Sequence, residues 1–465
     1  MENIFVPREL HGKKLIGYII GYFAVFLNTI YINVFVANYY IYTINLDSII
    51  VLFGIAVQML VNAIFSIIFG VISDNKTPGK FGKRRPFLLY GLPIWAVSSL
   101  LIWIPPLCPE GNSFYLPTAL YFWSIGILNS IVSASILSPH ASMLPEQSET
   151  FQNRKKVAST TTFYLIIASI IGLIPPLIVR SFLPQKDRFW WTLSGGIITI
   201  FTPIVGLFFT CFAVIGLIIT FLSVDESFHE INQINKSNRI SITTTFKNMI
   251  EPLKDIKYRK FIFVNLYSNV ALGIMGFIII PFLDFVMLFE GINYYIYPIV
   301  SISNKIGWFF IWRYLQDKKN ILKSYKACTI LCIFAAIIIL LYLFENIGFE
   351  IKILIFILTV GLLLGSIYAF RLYSTPIAAN LISEAAMKNG NNDRENNVSK
   401  ISGAYMGLLS FTISFGPAVS NIILAFVFTG ENRSNETIII IVFASMAIFF
   451  IISLYYLNQI HIKEK

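Results

Sequence analysis

The run Ile438-Ile-Ile-Ile-Val-Phe-Ala-Ser-Met-Ala-Ile-Phe-Phe-Ile-Ile-Ser-Leu-Tyr-Tyr-Leu457 decides the fold class of this chain. It contains no charged side chain, and about 20 apolar residues suffice for a helix to cross a bilayer. Runs of the same character recur, among them Ile197–Leu222 and Ile353–Phe370. Because lipid offers the backbone no hydrogen-bond partner, a spanning run is either a helix or a strand of a closed barrel. Barrel strands are about 10 residues long and alternate in polarity, so these long uniform runs predict helices.

The composition of the whole chain agrees with a protein that lies mostly in lipid. Of its 465 residues, 56% are hydrophobic and 13% are charged, whereas a soluble domain carries about 25% charged residues. We predict an all-α integral membrane protein with twelve transmembrane helices in two six-helix bundles. The helices are expected near 15–43, 48–72, 87–107, 116–138, 158–179, 196–223, 261–285, 294–314, 327–344, 351–377, 401–428 and 438–458.

The basic residues fall unevenly on the two sides of these helices. One set of alternate loops, together with both termini, carries 27 Lys and Arg residues, and the other set carries 5. Lys and Arg collect on the cytoplasmic side of membrane proteins. We therefore predict a multi-pass protein of the cell membrane with both termini in the cytoplasm. Topology also explains the net charge of +11, and no nucleic-acid partner is expected.

The longest polar segment divides the chain into two halves. We predict an N-terminal bundle over 1–223, a cytoplasmic linker with an amphipathic segment over 224–260, and a C-terminal bundle over 261–465. The two bundles share a Pro-x-Ala-x-x-Leu pattern followed by an acid, at Pro139 and at Pro376. Such matches indicate internal duplication, as in transporters built from repeated halves, although short patterns also coincide by chance.

The most specific motif is Gly70-Val-Ile-Ser-Asp-Asn-Lys-Thr-Pro-Gly-Lys-Phe-Gly-Lys-Arg-Arg-Pro86, between the second and third helices. Gly70 permits two helices to approach closely, and Asp74 can accept charge-assisted bonds from arginines or cap a helix. A cluster of this kind can hold one mouth of a carrier shut in one state and break in the other. The alternative is an ordinary basic cytoplasmic loop. The predicted gating residues are Asp74, Arg84, Arg85 and, in the corresponding loop after helix eight, Asp317.

This loop resembles the one between helices two and three of the major facilitator superfamily. Its Gly-Lys-Arg-Arg-Pro ending is similar to that of the glycoside–pentoside–hexuronide carriers, which include melibiose and sucrose carriers. The endings of helices four and ten, at Pro139 and Pro376, resemble the same family. The resemblance implies a secondary transporter that works by alternating access, with a sugar or glycoside as its small-molecule substrate. We expect it to act as a monomer in the lipid bilayer.

The chain departs from melibiose-type carriers where those proteins bind their coupling cation. They have two Asp residues one turn apart upstream of the loop glycine, and this chain has Asn62 and Ser66 there. Their helix-four acid corresponds to Leu137. None of the predicted helices has an acid in its central part, and membrane ion sites usually use a carboxylate. We therefore expect no cation site of the usual kind.

Positive charge, by contrast, occurs inside the predicted helices, at Lys305 and Arg371. A cation at a helix centre costs about 2.5–3.5 kcal/mol on insertion scales. It indicates a site for an anionic group or a fixed charge in place of a coupling ion, or else a side chain that snorkels to the interface. Polar pairs one turn apart can bind hydroxyls or join helices. The candidate substrate-binding residues are Asn28, Tyr31, Asn62, Ser66, Asn129, Ser133, Asn265, Asn269, Lys305, Trp308, Tyr368 and Arg371, with Tyr405 as a further cavity residue.

Motifs of other protein classes are missing from the sequence. No Gly-Lys-Ser/Thr loop occurs, so we predict that ATP does not drive this protein, and no His-Glu-x-x-His motif or metal-ligand spacing is found. Cys328 and Cys332 lie one turn apart in an apolar run, where core packing is the default. We expect no enzyme, no cofactor and no metal. The alternatives to a sugar carrier are an organic-anion or lysolipid carrier and a membrane receptor that does not transport.

Overall fold

The structure, a computed structural model, describes residues 9–76, 79–82, 84–148, 151–183, 188–226, 251–318, 320–344, 347–388 and 394–461. Within these ranges the chain forms twelve long helices, when the two segments of the third are counted as one. They are α1 Gly12–Tyr42, α2 Ser48–Asn75, α3 Arg85–Tyr90 with Leu92–Leu101, α4 Leu116–Gln147, α5 Phe151–Ser181, α6 Leu193–Ser223, α7 Ile256–Pro281, α8 Ile296–Lys318, α9 Ile321–Ile338, α10 Phe349–Lys388, α11 Arg394–Val427 and α12 Glu436–Asn458. A π turn, Phe282–Val286, extends α7, and 3-10 turns occupy Glu251–Lys254, Gly291–Tyr295, Ile339–Leu343 and Gly430–Ser434.

The prediction of an all-α membrane protein is confirmed. Among the described helices, ten are long and apolar enough to cross a membrane. The other two helices, α3 and α8, do not meet these criteria of length and hydropathy, each for a specific reason. A break at Gly91, with Pro93 at the start of the next segment, divides α3, and α8 contains the cations Lys305 and Arg313.

Polar side chains mark the points where helices begin. Asp47 accepts a hydrogen bond from the backbone N–H of Ile49 at 2.8 Å, before α2. Asn320 accepts from the N–H groups of Leu322 and Lys323 before α9. The first N–H groups of a helix have no partner within it, so these caps stabilise each start. The sequence places them directly before the apolar runs.

Several helices extend beyond the bounds that hydropathy predicts. The structure continues α4 past Pro139 to Gln147, and it continues α10 past Pro376 to Lys388. The sequence predicted ends near 138 and 377 because hydropathy marks only the apolar part of a helix. Proline removes one helical hydrogen bond, but membrane helices tolerate it where neighbouring groups compensate. Both extensions lie at the end of the bundle where α1 begins and α12 ends, which we call the terminal end.

The helices pack as two groups, α1–α6 (the N-half) and α7–α12 (the C-half). In the N-half, α6 approaches α1 so closely that a side chain at Gly216 would overlap Ala24. In the C-half, Gly416 of α11 lies directly against Asn269 of α7. The most extensive contact between the halves is that of α2 with α11. Residues 227–250 of the predicted linker lie outside the described residues, and the bounds of the three predicted segments stay a prediction.

Contacts join the two halves at the end opposite the terminal end, which we call the far end. The Ser48 hydroxyl, at the start of α2, donates to the carbonyl of Phe428 after α11. The Tyr42 hydroxyl, at the end of α1, donates to the carbonyl of Arg433 at 2.7 Å. The ring of Tyr42 also lies 5.5 Å from that of Phe285 after α7. The far end is therefore closed between the halves.

The charge distribution predicts that the far end faces the outside of the cell. A cysteine probe at Asn432, exposed in the turn before α12, should react with a membrane-impermeant reagent in intact cells. A probe at Asn235, which lies outside the described residues, should react only after permeabilisation, because 224–260 is predicted to be cytoplasmic. The opposite labelling pattern would reverse the topology.

Candidate functional site

Lys305 lies at the contact between the halves, near the middle of α8. Its side chain is buried, with 4% of its surface exposed. The ammonium Nζ donates a hydrogen bond to Oγ of Ser169 on α5, at 3.1 Å. None of the ion pairs that the structure describes includes Lys305. The charged group thus contacts a neutral hydroxyl of the opposite half.

Two side chains of α10 complete this central region. Tyr368 is buried against Phe309 of α8 and precedes Arg371 by about one turn of α10. The guanidinium carbon of Arg371 lies 5.3 Å from the ring centroid of Phe26 on α1. Arg371 is nevertheless exposed to solvent. The Arg371 cation thus lies over a ring of the opposite half.

Aromatic side chains flank Lys305 along α8. Phe309 packs on Phe163 of α5, with ring centroids 6.2 Å apart. Trp308 stacks on Trp312, with centroids 5.3 Å apart, and its indole occupies the space that a side chain at Gly365 of α10 would fill. Ligand sites are mostly apolar with a few placed polar groups. The central region, with two cations, two hydroxyls and several rings, has that character.

A second charged cluster lies at the far end, in the loop between α5 and α6. Arg188 donates from Nη1 to Oδ2 of Asp284 at 2.6 Å and from Nη2 to the Tyr294 hydroxyl at 2.7 Å. That hydroxyl in turn donates to Oδ1 of Asp284 at 2.6 Å. The ion-paired side chains are 7% and 8% exposed. We call these three residues the far-end latch, since Arg188 belongs to the N-half and its partners to the C-half.

Local backbone geometry places Asp284 in the latch. The π turn Phe282–Val286 follows Pro281 and widens the last turn of α7, and such turns often occur at functional sites. Burial by itself lowers the pKa of the Arg188 guanidinium, but the charge of Asp284 and the interactions with Tyr294 raise that pKa above its usual value. The Arg188 guanidinium therefore stays charged throughout the physiological range.

The predicted polar residues of α4 join helices within the N-half. Asn129 donates from Nδ2 to the hydroxyls of Ser98 and Ser99 on α3, at 3.0 and 2.9 Å. The indole N–H of Trp95 donates to the Ser133 hydroxyl at 2.8 Å. The sequence left two possibilities open for these residues, solute binding and bonding between helices. The described contacts are bonds between helices. They do not bring Asn129 or Ser133 to the region of Lys305.

The residues at the positions of the usual cation site also bond to α4. Asn62 donates from Nδ2 to the carbonyl of Ser130 at 3.0 Å. The Ser138 hydroxyl donates to the carbonyl of Ser66 at 2.6 Å. Both Asn62 and Ser66 are half-buried. They hold α2 against α4.

Asn28 and Tyr31 lie on the face of α1 that packs against α6. The Tyr31 hydroxyl donates to the carbonyl of Thr202 at 2.9 Å, and its ring contacts Phe209. Asn28 is fully buried, and its amide finds no hydrogen-bond partner among the described residues. The structure buries both residues in the N-half, and the described contacts do not join either of them to Lys305.

The predicted polar residues of α7 and α11 bond within the C-half. Asn265 and Asn269 donate to the carbonyls of Phe261 and Asn265 on their own helix, at 2.9 and 2.8 Å. Tyr405 contacts the ring of Tyr258 at 4.4 Å and accepts the hydrogen bond of its hydroxyl. The described contacts do not join these residues to Lys305.

Of the predicted gating residues, the structure describes the side chains of Arg84 and Arg85. Their backbone N–H groups donate to Oε2 of Glu226, just after α6, at 2.9 and 3.2 Å. The Arg85 side chain donates from Nε to the carbonyl of Phe221 at 2.9 Å. These contacts fix the loop to the terminal end of α6. The side chains of Asp74 and Asp317 lie outside the described residues.

We predict that Asp74→Asn or Arg84→Ala leaves the protein folded but shifts its balance between the two open states, because the loop charges lie at one mouth. Spectroscopic distances between the halves, measured at both mouths, should change. Lys80→Ala, an exposed residue of the same loop, is the matched control. Unchanged distances with full transport would reject the gate role.

Comparison with known proteins identifies the family. Residues 17–462 match the family described as MFS/sugar transport protein. The chain belongs to this family. It is therefore a multi-pass membrane transporter of the major facilitator type, and the resemblance that its loops indicated is confirmed. Among the described residues no group of three His, Cys, Asp or Glu side chains is placed to hold a metal ion.

Three known proteins resemble this chain at low sequence identity. A nucleoside transporter, NupG, has 13% identity and a TM-score of 0.61 over 97% of this chain and all of that one. A bacterial homolog to the human lysosomal transporter Spinster, in an inward-facing and occupied conformation, has 11% identity and a TM-score of 0.60 over 96% and 95% of the two chains. An uncharacterized symporter of Synechocystis sp. (strain ATCC 27184 / PCC 6803 / Kazusa) is 23% identical over 128 residues, which are 27% of this chain and 23% of that protein. The structural likeness at this identity shows the fold.

Sequence reasoning missed several residues that the tertiary structure brings to these sites. Ser169 carries no signal in the sequence beyond being one serine in an apolar run. Arg188 and Tyr294 become partners only because separate loops meet at the far end.

Proposed function

We propose that this transporter carries a sugar or a similar small polar solute by alternating access. The contact between Lys305 and Ser169 carries the proposal, because it takes one residue from each half at mid-depth. Rocking of the halves about such a contact opens the site to each side in turn. The closed far end corresponds to one of the two end states. The description of the family supports a sugar as the solute.

The chemistry of the central region suits a solute with many hydroxyl groups. Ser169 and Tyr368 offer hydroxyls that both donate and accept hydrogen bonds. Lys305 and Arg371 offer donors alone. The rings of Trp308 and Phe26 provide apolar surface, and a sugar ring has apolar faces as well as polar edges. A site that combines these groups can orient such a solute and exclude a purely apolar one.

The test is counterflow in liposomes that contain the purified protein. The panel contains monosaccharides, glycosides, a nucleoside, organic acids and a lysolipid, each with protein-free liposomes as control. Counterflow of a sugar or glycoside supports the proposal. Counterflow restricted to organic acids or to the lysolipid would replace it with one of those carrier functions, and binding without counterflow of any solute would indicate a receptor.

We further predict that neither a Na⁺ gradient nor a pH gradient alone drives the solute uphill. Asn62 and Ser66 replace the usual acids and bond to α4, and a site without fixed negative charge should bind a cation weakly. The acid nearest to the membrane interior, Asp284, is engaged by Arg188. Solute accumulation measured under each gradient separately checks this. Accumulation above equilibrium under either gradient would show that another acid reaches the site.

A further inference from the structure

Two glycines one turn apart on α10, Gly361 and Gly365, lie directly against α8. A Cβ atom added at Gly361 would lie 2.8 Å from Nδ2 of Asn304 and 3.0 Å from its Oδ1. A Cβ atom added at Gly365 would lie 2.3 Å from Cδ1 of Trp308 and 2.9 Å from its Cβ. Carbon atoms in contact prefer about 3.5–4.0 Å, so glycine permits this close approach of the two helices. Asn304 and Trp308 are also one turn apart, and the two contacts together fix the register of α8 on α10.

The side chains that face the two glycines are held by further contacts. Trp308 stacks on Trp312, with ring centroids 5.3 Å apart. Nδ2 of Asn304 donates to the carbonyl of Val300, one turn earlier on the same helix, at 3.0 Å. A rotation of α8 about its axis would have to displace both Asn304 and Trp308 from α10. Closely packed contacts of this kind resist such a displacement.

The residue that follows each of these two side chains contacts the N-half. Successive residues of an α-helix are about 100° apart around its axis. Lys305, one position after the first of them, donates from Nζ to Oγ of Ser169 on α5 at 3.1 Å. Phe309, one position after the second, packs on Phe163 of α5 with ring centroids 6.2 Å apart. The contact of α8 with α10 therefore sets the direction in which Lys305 and Phe309 extend toward α5.

We propose that Gly361 and Gly365 are positioning residues of the transporter, which set the rotation of α8 that directs Lys305 to α5. A methyl group at either glycine pushes α8 away from α10, and Lys305 moves with its helix. Gly365 has the larger effect, because the methyl group there meets Cβ of Trp308, which no change of rotamer can move. This inference rests on the proposed function, because it takes the contact between Lys305 and Ser169 as the point about which the halves rock.

The first test measures solute counterflow in liposomes that contain the purified full-length protein. Gly365→Ala should lower the rate at least about fivefold and Gly361→Ala about twofold, since overpacking displaces the neighbouring helix. Gly307→Ala is the matched control on α8, because a Cβ atom there has no atom within 4 Å, and it should keep the wild-type rate. Asn304→Ala removes the amide atoms that the methyl group at Gly361 would meet. The double variant Asn304→Ala with Gly361→Ala should therefore transport as fast as Asn304→Ala alone.

A double-mutant cycle distinguishes positioning of Lys305 from a general loss of packing. If Gly365 acts through Lys305, the variant with both Gly365→Ala and Lys305→Ala should be no slower than Lys305→Ala alone, because both changes affect one contact. Losses that multiply in the double variant would overturn the inference, as would a wild-type rate in Gly365→Ala. If Gly365→Ala does not fold, the milder Gly361→Ala takes its place in the cycle.

A second test reports on the rotation of α8 without any transport. Phe163→Cys and Phe309→Cys are introduced into a chain whose four native cysteines are replaced by alanine. A short bifunctional thiol reagent should join the two introduced cysteines, as measured by mass spectrometry of the cross-linked peptides. Gly365→Ala should lower the yield at least about threefold, and Gly307→Ala should leave it unchanged.

The outcomes of the two tests separate this inference from the proposed function. An unchanged cross-linking yield in both Gly365→Ala and Gly361→Ala would overturn the inference even if the protein transports a sugar. A yield that depends on Gly365, together with no counterflow of any solute by the wild-type protein, would support the positioning of α8 and overturn the proposed function.

Discussion

Lys305→Ala is expected to lower the rate of solute counterflow at least about tenfold. The substitution removes a charge-assisted donor from the central region, and bonds of this class contribute about 1.5–3 kcal/mol, while about 1.4 kcal/mol corresponds to a tenfold change in affinity. It also removes the Lys305–Ser169 hydrogen bond between the halves. Counterflow of the identified solute in liposomes, normalised to the amount of reconstituted protein, measures the effect.

Two variants separate loss of the charge from loss of the contact. Lys305→Arg keeps the charge and should retain much of the activity. Ser169→Ala removes the acceptor of the Lys305 bond but leaves the positive charge in the central region, so its effect should be smaller than that of Lys305→Ala. Arg313→Ala serves as the control on the same helix. An equal loss in Arg313→Ala and Lys305→Ala, or full activity of the latter, would contradict a central role for Lys305.

Asp284→Asn is expected to open the far end of the transporter. The change leaves the Arg188 guanidinium buried without its counter-charge, and removal of one partner of a buried pair costs about 3–5 kcal/mol. The closed state bears this cost, while water can solvate Arg188 when the far end is open. Even the lower figure corresponds to a shift of more than about a hundredfold between the two states. Arg188→Ala should shift the balance in the same direction.

Distances measured by electron spin resonance between labels at Glu110 and Asn432 report on the far end, since these exposed residues belong to opposite halves. Labels at Lys156 and Arg259, likewise exposed on opposite halves, report on the terminal end. The first distance should lengthen in Asp284→Asn and the second shorten.

The matched control for the latch is Glu436→Gln. Glu436 pairs with Lys352 at 3.8 Å, within the C-half and at the surface, where such pairs contribute about 0–1 kcal/mol. This variant should keep wild-type distances. The exchange Arg188→Asp with Asp284→Arg should recover part of the closed population, because the opposite charges face each other again. Unchanged distances in Asp284→Asn would show that the latch does not hold the far end.

The positions of charges along the chain allowed much of the fold to be predicted. The membrane-spanning class follows from runs such as Ile438–Leu457, because lipid leaves the backbone no alternative to internal hydrogen bonds. The family followed from the loop between Gly70 and Pro86 and is confirmed by the match over residues 17–462. The ends of α4 and α10 did not follow, since hydropathy does not register a helix that continues into water.

Some side chains of the central region were identified from the sequence, and others became apparent only in the tertiary structure. The sequence by itself identified Lys305 and Arg371, because a charge inside an apolar run has a cost wherever the helix lies. Only the tertiary structure decided which polar residues face the centre. The sequence around an amide such as Asn129 does not tell whether its side chain binds a solute or two serines of α3. The rotation of each helix depends on the packing of its neighbours, and the sequence of one helix does not contain that packing. The partners Ser169, Arg188 and Tyr294 could not be predicted for the same reason. Each becomes part of a site only through contact with a residue distant along the chain.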